Sequence, residues 1–586
     1  MSQDTEISGH CRNLFDDCTQ RLGTLAARWS TTQTHVAMAV ALTVLSRQTA
    51  DGVTRVGVRG STPVRMAFPP ELPLREAALG IARLVAEAST ISIDTPNAES
   101  DLPERIELEI VERGDGVLTL SGTCAERQMD RLIHALRHAY RPASAVRDVP
   151  VACPADDEDV RAWAQNLAPI PATTLDRVFS RIARAHPGRT AVHVPPGPDG
   201  PPGVRRLTYG AAEARAVRLA SALVRSGVQL GEPVVVVCDD PIRAVVDQLA
   251  VFKAGAVCVP VGRVPAEQAR DIAALSGARW ALCGTDSRLS WERYCRALSP
   301  QETVLAGLVG RARSGEAPVE DSLPRSDFSE AAYLLVDRHA RRPAEARLSA
   351  HTAWTSAAAS RVQRVGHVST EVVSGGDLAD AAALSAMWWA FACGARLTWL
   401  GADRPYAATG VTPRAAGARP ADALLSTEGY QELLETLGTT SVASSGSRAG
   451  LGTVVVSGAP CTADLVKQHF ALVEGTRLIS EFSGDGGPLP WTARELGPAD
   501  AECRLLPNLG RPSPNVQVRI LDEVGRSLPP GLVGEICAEG GALPYELLIR
   551  DGVLVRTLTD HLLRSGRLGQ LRMDGSLESA DDVPSG

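Results

Sequence analysis

From about residue 8 to 48, apolar positions recur at helical spacing, ending in "HVAMAVALTVLSRQTADG", where Asp51-Gly52 breaks the run. A strand candidate follows ("VTRVGVRG"), then a helix ("LREAALGIARLVAEA"). The stretch "RIELEIVERGDGVLTLSG" alternates on both sides of a Gly-Asp-Gly turn, which predicts a hairpin. A helix over "AERQMDRLIHALRHAY" closes this α+β block near residue 150, and 151–172 reads as a linker carrying a short helix.

Beyond the linker the pattern changes to strand-helix alternation, which predicts α/β layers with parallel sheets over 173–506. One series runs "PVVVVCDDPIRAVVDQLAVFKAG", "AVCVPV", "WALCG"; a second runs from "AAYLLV" through "AMWWAFACGARLTWL" to "TVVVSGAPCTADLVKQHFALVEGTRLISEF". From 507 to 586 the strands shorten and turns multiply ("VQVRILDEVGRSLPPGLVGEICAEG"), predicting a small barrel-like β unit.

Composition narrows the partners. The chain has 586 residues, enough for about three to five units. A formal charge of -8 argues against nucleic acid as the main partner. The longest apolar stretches fall short of the ~20 residues a membrane span needs, and the polar, acidic N-terminal stretch is unlike a secretory signal. Twelve cysteines without a C-x-x-C pair support neither a zinc site nor a disulfide framework, so reduced thiols in a cytoplasmic protein are expected. Lysine occurs only at Lys253 and Lys467.

The segments "TLDRVFSRIARAHPGRTAV", "LTYGAAEARAVRLASAL", "FKAGAVCVPV", "AAYLLV", "GRPSPNVQVRILDEVGRSLPPGLVGEI" and "DGSLE" occur in one order. In that order they resemble the adenylation domain of nonribosomal peptide synthetases, within the acyl- and aryl-CoA-ligase and luciferase superfamily. The resemblance covers about Thr173 to Glu578. It implies an α/β fold: an adenylate-forming N-terminal core of two layered α/β/α subdomains plus a small β-barrel. The family's mobile C-terminal lobe would follow "DGSLE" and is not part of this sequence. Residues 1–150 resemble, by order and pattern, the C-terminal lobe of a condensation domain, without that family's H-H-x-x-x-D-G motif.

Adenylation joins a carboxylate to the α-phosphate of ATP, and needs backbone amides for the triphosphate, Mg²⁺, a ribose anchor and a lysine. The family's T-S-G-S-T-G-x-P-K-G loop lies between an A-Y strand and a later histidine. With Ala332-Tyr333 and His351 as anchors, its small residues fall on Asp337, Arg338, His339, Ala340, Arg341 and Arg342. The lysine falls on Glu345 and the last glycine on Ala346. None of these is the glycine that lets backbone amides approach phosphate. A carboxylate at the lysine position repels the triphosphate; Arg338, Arg341 and Arg342 offer the alternative of binding it.

The family's N-E-Y-G-P-T-E matches "SEFSGDG", placing Glu481 and Phe482 early in the motif, Asp485 on its threonine and Gly486 on its metal-binding glutamate. The ribose aspartate of Y-R-T-G-D-L becomes Arg567, which offers no acceptor. The aspartate that pairs with the substrate's ammonium falls on Ala381, with Asp380 one residue earlier.

These losses together lead us to expect a catalytically silent component of a nonribosomal peptide assembly line, with no catalytic residue, metal or cofactor. Its partners would be a carrier protein, an oxidase or other synthetase modules, with neither nucleic acid nor membrane. The alternative is a divergent adenylate-forming or nucleotide-binding enzyme that uses the arginine-rich loop with ATP and Mg²⁺. A sensor using the old acyl pocket is a third possibility.

Overall fold

The computed structural model describes residues 10–13, 16–46, 53–58, 64–69, 71–84, 90–95, 104–112, 118–122, 126–138, 145–146, 149–164, 166–196, 205–299, 323–336, 346–400, 420–439, 451–473, 475–484, 487, 489–502, 508–540, 543, 545–550, 553–556 and 562–580. The contacts divide the chain into two compact units.

The first unit comprises Met1–Gln165, Arg519–Cys537 and Ser565–Gly586. Its antiparallel sheet has the order His10–Asn13, Leu118–Gly122, Glu104–Glu112, Thr90–Thr95, Val53–Val58, Val64–Ala67. The expected hairpin is present, with Glu112 opposite Leu118. One difference from the sequence pattern is His10–Asn13, which forms an edge strand where helical spacing was expected; backbone pairing with Leu118–Gly122 decides it. The helix Gln33–Ser46 is buried on every side from Val36 onward, so its apolar run is a core helix.

Within this unit, contacts follow side chains rather than chain order. Arg131 on the helix Glu126–His138 makes a buried bidentate pair with Asp156 of the linker helix Pro154–Ala164, Nη2 to Oδ1 being 2.8 Å. The same Nη2 donates to the Pro530 carbonyl at 2.8 Å. Trp163 lies against Gly575, where an added Cβ would stand 2.8 Å from the indole.

The second unit comprises Asn166–Val518 and Ala538–Arg564. Its eight-stranded sheet has the order Arg296–Leu298, Trp280–Leu282, β1 (Pro233–Val237), β2 (Val257–Val261), β3 (Ala331–Val336), β4 (Ala346–Ala350), Tyr545–Arg550, Val553–Arg556. Strands from Arg296–Leu298 to β3 are parallel. The "PVVVV" run of β1 is continuous because a parallel strand is covered on both faces.

The helix α1 (Pro241–Lys253) returns the chain from β1 to β2. Pro241 stands in its first turn, and the Asp240 carboxylate caps it by accepting the Arg243 N–H at 2.8 Å. Gly255 at φ +71° turns the chain after it; a Cβ there would come 2.5 Å from Leu230 Cδ1. The antiparallel β4 pairs with β3, Val336 opposite Ala346, and the helix α2 (His351–Val365) comes next.

The nine-stranded sheet has the order Arg511–Pro512, Thr492–Leu496, β6 (Arg477–Phe482), β5 (Leu451–Gly458), Ala421–Ser426, Glu371–Gly375, Arg396–Leu400, Thr190–Val194, Arg205–Thr208. The helix α3 (Ala381–Cys393) brings Trp388, Trp389 and Phe391 into the main core of this unit. Burying each such ring stabilises by roughly 1.5–3 kcal/mol. The expected parallel α/β layers are therefore present. A four-stranded sheet, most of whose residues belong to the first unit, has the order Gln517–Leu521, Gly534–Glu539, Leu562–Leu571, Leu577–Ser579.

Candidate functional site

β3 and β4 pair as the two strands flanking 337–345. Tyr333 in β3 is fully buried, and its hydroxyl donates to Gln248 Oε1 on α1 and accepts from Trp388 Nε1 at 2.8 Å. Burial pushes that phenol well above its ordinary range. Ala346 is buried at the start of β4. Asp337, Arg338, His339, Arg341, Arg342 and Glu345 lie outside the described residues.

His351, the second anchor, opens α2 and is fully buried. Its Nδ1 accepts the Leu175 N–H at 3.2 Å, and its Nε2 has no hydrogen-bond partner. Burial lowers its pKa to about 4, so the imidazole is neutral and acts as a core acceptor.

At the end of β6, Glu481 is 0 % exposed and held by two arginines of α2. Arg361 donates through Nε at 2.9 Å and Nη2 at 2.8 Å to Glu481 Oε2, and Arg364 Nη1 donates to Oε1 at 2.7 Å. Two guanidiniums thus share one carboxylate in a buried place. Burial lowers the Arg364 pKa, with Glu481 opposing the shift. Arg364 Nη2 also reaches the hydroxyls of Ser360 (3.2 Å) and Ser513 (3.4 Å). The Phe482 ring meets Trp491 edge-on at 6.0 Å. Asp485 and Gly486 lie outside the described residues.

Asp380 is the N-cap residue of α3, half-buried, and its carbonyl accepts the Leu384 N–H at 2.9 Å; Ala381 is the first helical residue. The structure therefore keeps both at one helix start, above the turn closed by Asp377, whose carboxylate accepts the Ala379 N–H at 2.9 Å. Arg567 belongs to the first unit, in the strand Leu562–Leu571. It is half-buried, and its N–H donates to Ser565 Oγ at 3.1 Å, across Gly566 at φ +68°.

The two lysines are placed differently. Lys253 ends α1, and its ammonium is 2.7 Å from Glu213 Oε1 and 2.8 Å from Ser180 Oγ, its side chain only 5 % exposed. Lys467 is exposed on the helix Ala463–Leu472. Among the described residues no group of three or more His, Cys, Asp or Glu is arranged to hold a metal ion.

Two sets of polar side chains escape sequence reasoning. Arg361 and Arg364 meet Glu481 across 120 and 117 positions, and only their i, i+3 spacing on an otherwise small-residue helix hints at a shared partner. Asp247 and Gln248, adjacent polar residues inside the apolar run "AVVDQLAVF", are both fully buried. That interruption is the signal the sequence offers.

Across these layered sheets and the β3–β4 hairpin, the profile of the AMP-binding enzyme family matches residues 179–330 and 346–543. The chain belongs to the AMP-binding enzyme family, and within it is an adenylation-like chain of the nonribosomal peptide synthetase type. It is similar to the nonribosomal peptide synthetase CymA of Salinispora arenicola, 26% identical over 83% of this chain and 6% of CymA. It is also similar to the phosphinothricin tripeptide synthetase PhsC of Streptomyces viridochromogenes, 28% identical over 69% of this chain and 36% of PhsC. The chain thus spans well under two thirds of these relatives. The nonribosomal peptide synthetase FmoA3, solved with AMPPNP bound, superposes with a TM-score of 0.71 at 16% identity over 98% of this chain and 68% of its own. VinN superposes at 0.56 and 18% identity, over 70% of this chain and 98% of its own. At these identities the structural likeness is one of fold.

Proposed function

We propose that this chain is a catalytically silent, adenylation-like component of a nonribosomal peptide assembly line that serves by docking rather than by activating an amino acid. The observation that carries the proposal is how the chain's only two lysines are placed. Glu481, which falls early in the matched motif and not on its metal-binding position, is also closed, by Arg361 and Arg364. Lys253 is closed by Glu213, and Lys467 stands on an outer helix. Lys253 and Glu481 are thus engaged within the protein and offer neither a cation nor a carboxylate to a triphosphate with its metal.

In this proposal Asp337 to Glu345, Asp485, Gly486 and Arg567 are the degenerate positions of the old nucleotide pocket, and Asp380 and Ala381 those of the acyl pocket. Residues 1–150 are a remnant of a condensation lobe. The partner is a carrier protein, an oxidase or a neighbouring synthetase module, in the cytoplasm; one solved relative is itself an artificial adenylation–PCP fusion. No helix among the described residues is long and apolar enough to cross a membrane.

The test is amino-acid-dependent pyrophosphate exchange with the purified chain, together with calorimetric titration of ATP and AMP. Exchange no higher than in a protein-free control is expected with every amino acid. Exchange above that control with any one of them overturns the proposal. Nucleotide binding that Arg341→Ala and Arg342→Ala weaken would favour the arginine-loop alternative instead.

A further inference from the structure

The eight-stranded sheet borders a cleft on the side where β2 and β3 begin. Residues from the starts of β2 and β3, the end of β4 and the turn before β1 line this cleft of about 490 Å³. That lies within the ~300–1,000 Å³ of small-molecule sites. Ala331 of the lining lies at the far end of β3 from Val336, and Leu348 of the lining pairs with Leu334. The lining shares no residue with the positions matched to the nucleotide pocket, so occupancy of the cleft is independent of whether that pocket is catalytically silent.

Its walls are of two kinds. Leu230, Val257 and Leu348 supply apolar surface, and Leu230 is 54% exposed, unusual for a leucine against a glycine backbone. Gly255 allows Leu230 to lean there, since a Cβ would stand 2.5 Å from Cδ1. Phe328, 37% exposed, belongs to the 327–330 turn that supplies the polar wall. Ser326, Ser329 and Glu330 are that wall's side chains, and Glu330 is the sole charged residue of the lining.

The turn is held rigidly. Asp327 N–H donates to Glu330 Oε2 at 2.9 Å, and Glu330 N–H to the Asp327 carbonyl at 3.1 Å. Ser329 gives both its N–H (3.0 Å) and its hydroxyl (2.8 Å) to Asp327 Oδ1. Those two bonds hold the Asp327 pKa below its ordinary value. Asp327 is thus engaged by Ser329, while Glu330 has Oε2 fixed and, among the described residues, no hydrogen bond to Oε1.

We propose that this cleft binds a small primary-ammonium compound with a compact apolar body. The ammonium pairs with Glu330 Oε1, and the apolar body lies on Leu230, Val257 and Leu348. A single negative charge with no cation in the lining selects against carboxylates of the same shape.

Phenethylamine, phenethyl alcohol and phenylacetate are three probes of nearly one shape that differ in charge. Ligand-observed NMR titration near neutral pH, on the full chain, compares them. Saturable binding of the amine with a Kd of about 1 mM or tighter is expected, with the alcohol at least ~5-fold weaker and the acid undetected. Glu330→Gln, an exposed position, reduces the amine's affinity at least ~5-fold while leaving the alcohol unchanged. Ser329→Trp, also exposed, abolishes binding of both by filling the mouth. Melting temperatures of both variants within about 2 °C of the parent establish that the fold is intact. No saturable binding at about 20 mM, equal binding of acid and amine, or an unaffected Glu330→Gln variant overturns the proposal. So does capture of a lysine-bearing peptide with no response to the amine.

Discussion

Asp247 gives the sharpest energetic prediction. It lies inside α1 with 0% exposure, and neither carboxylate oxygen accepts a hydrogen bond. Its one cation, Arg243 Nε, stands 3.6 Å away and is shared with Asp239. Burial dominates and raises the pKa from 3.8 to about 8; Arg243 opposes this, while Asp239 and Asp240 reinforce it. The fold therefore prefers the protonated acid.

Since the folded value is the higher one, stability is fullest below about pH 4 for this group and declines as pH rises toward 8. The slope is about 1.4 kcal/mol per pH unit, so by pH 7 the accumulated cost is on the order of 4 kcal/mol. Asp247→Asn removes the titration but adds two donors in a site with no acceptor, costing about 1–3 kcal/mol. The net expectation is a variant roughly 1–3 kcal/mol more stable at pH 7, and equal to or weaker than the parent at pH 5.

Urea unfolding, followed by tryptophan fluorescence at several pH values from 5 to 8, measures the difference between the two proteins. That difference cancels every other titrating group. Parallel stability profiles, or an asparagine variant weaker throughout, would refute the assignment of a neutral Asp247.

The buried triad predicts an asymmetry. Glu481→Gln leaves Arg361 and Arg364 facing each other without a counter-charge and costs about 3–5 kcal/mol, whereas Arg361→Met leaves one pair intact and costs about 1–3 kcal/mol; denaturant midpoints order the two. His351, held near pKa 4, contributes stability present above its ordinary 6.5 and lost as pH falls toward 4. His351→Gln flattens the acid limb of the stability profile over that interval, read by thermal melts. Lys253→Met removes a buried charge pair from Glu213 and lowers stability by about 2–4 kcal/mol, without changing the pyrophosphate-exchange signal.

Hydrophobic period made the layers legible. Runs such as "PVVVV" and "VVVS" are buried on both faces, and helix stops such as Gly255 sit where the pattern ends. The edge strand His10–Asn13 was not, because it is set by pairing with a strand more than a hundred positions on. Arg131 and Glu481 illustrate the same limit. Each is a charged residue in an ordinary amphipathic setting until its distant partner is known. The departure of 337–345 from the phosphate-loop pattern was legible because it is local in sequence, whereas the closure of Glu481 needed coordinates.

The β3–β4 hairpin has a consequence for engineering. β3 is bonded to β2 on one side, β4 to Tyr545–Arg550 on the other, and Val336 and Ala346 stay paired at the end of the hairpin that 337–345 joins. The register is thus fixed by the sheet rather than by whatever joins those two residues. The nine positions between them form a cassette in which foreign sequence can be installed without re-registering a strand. A glycine-rich insert there would leave the Arg361–Glu481–Arg364 cluster between α2 and β6 untouched.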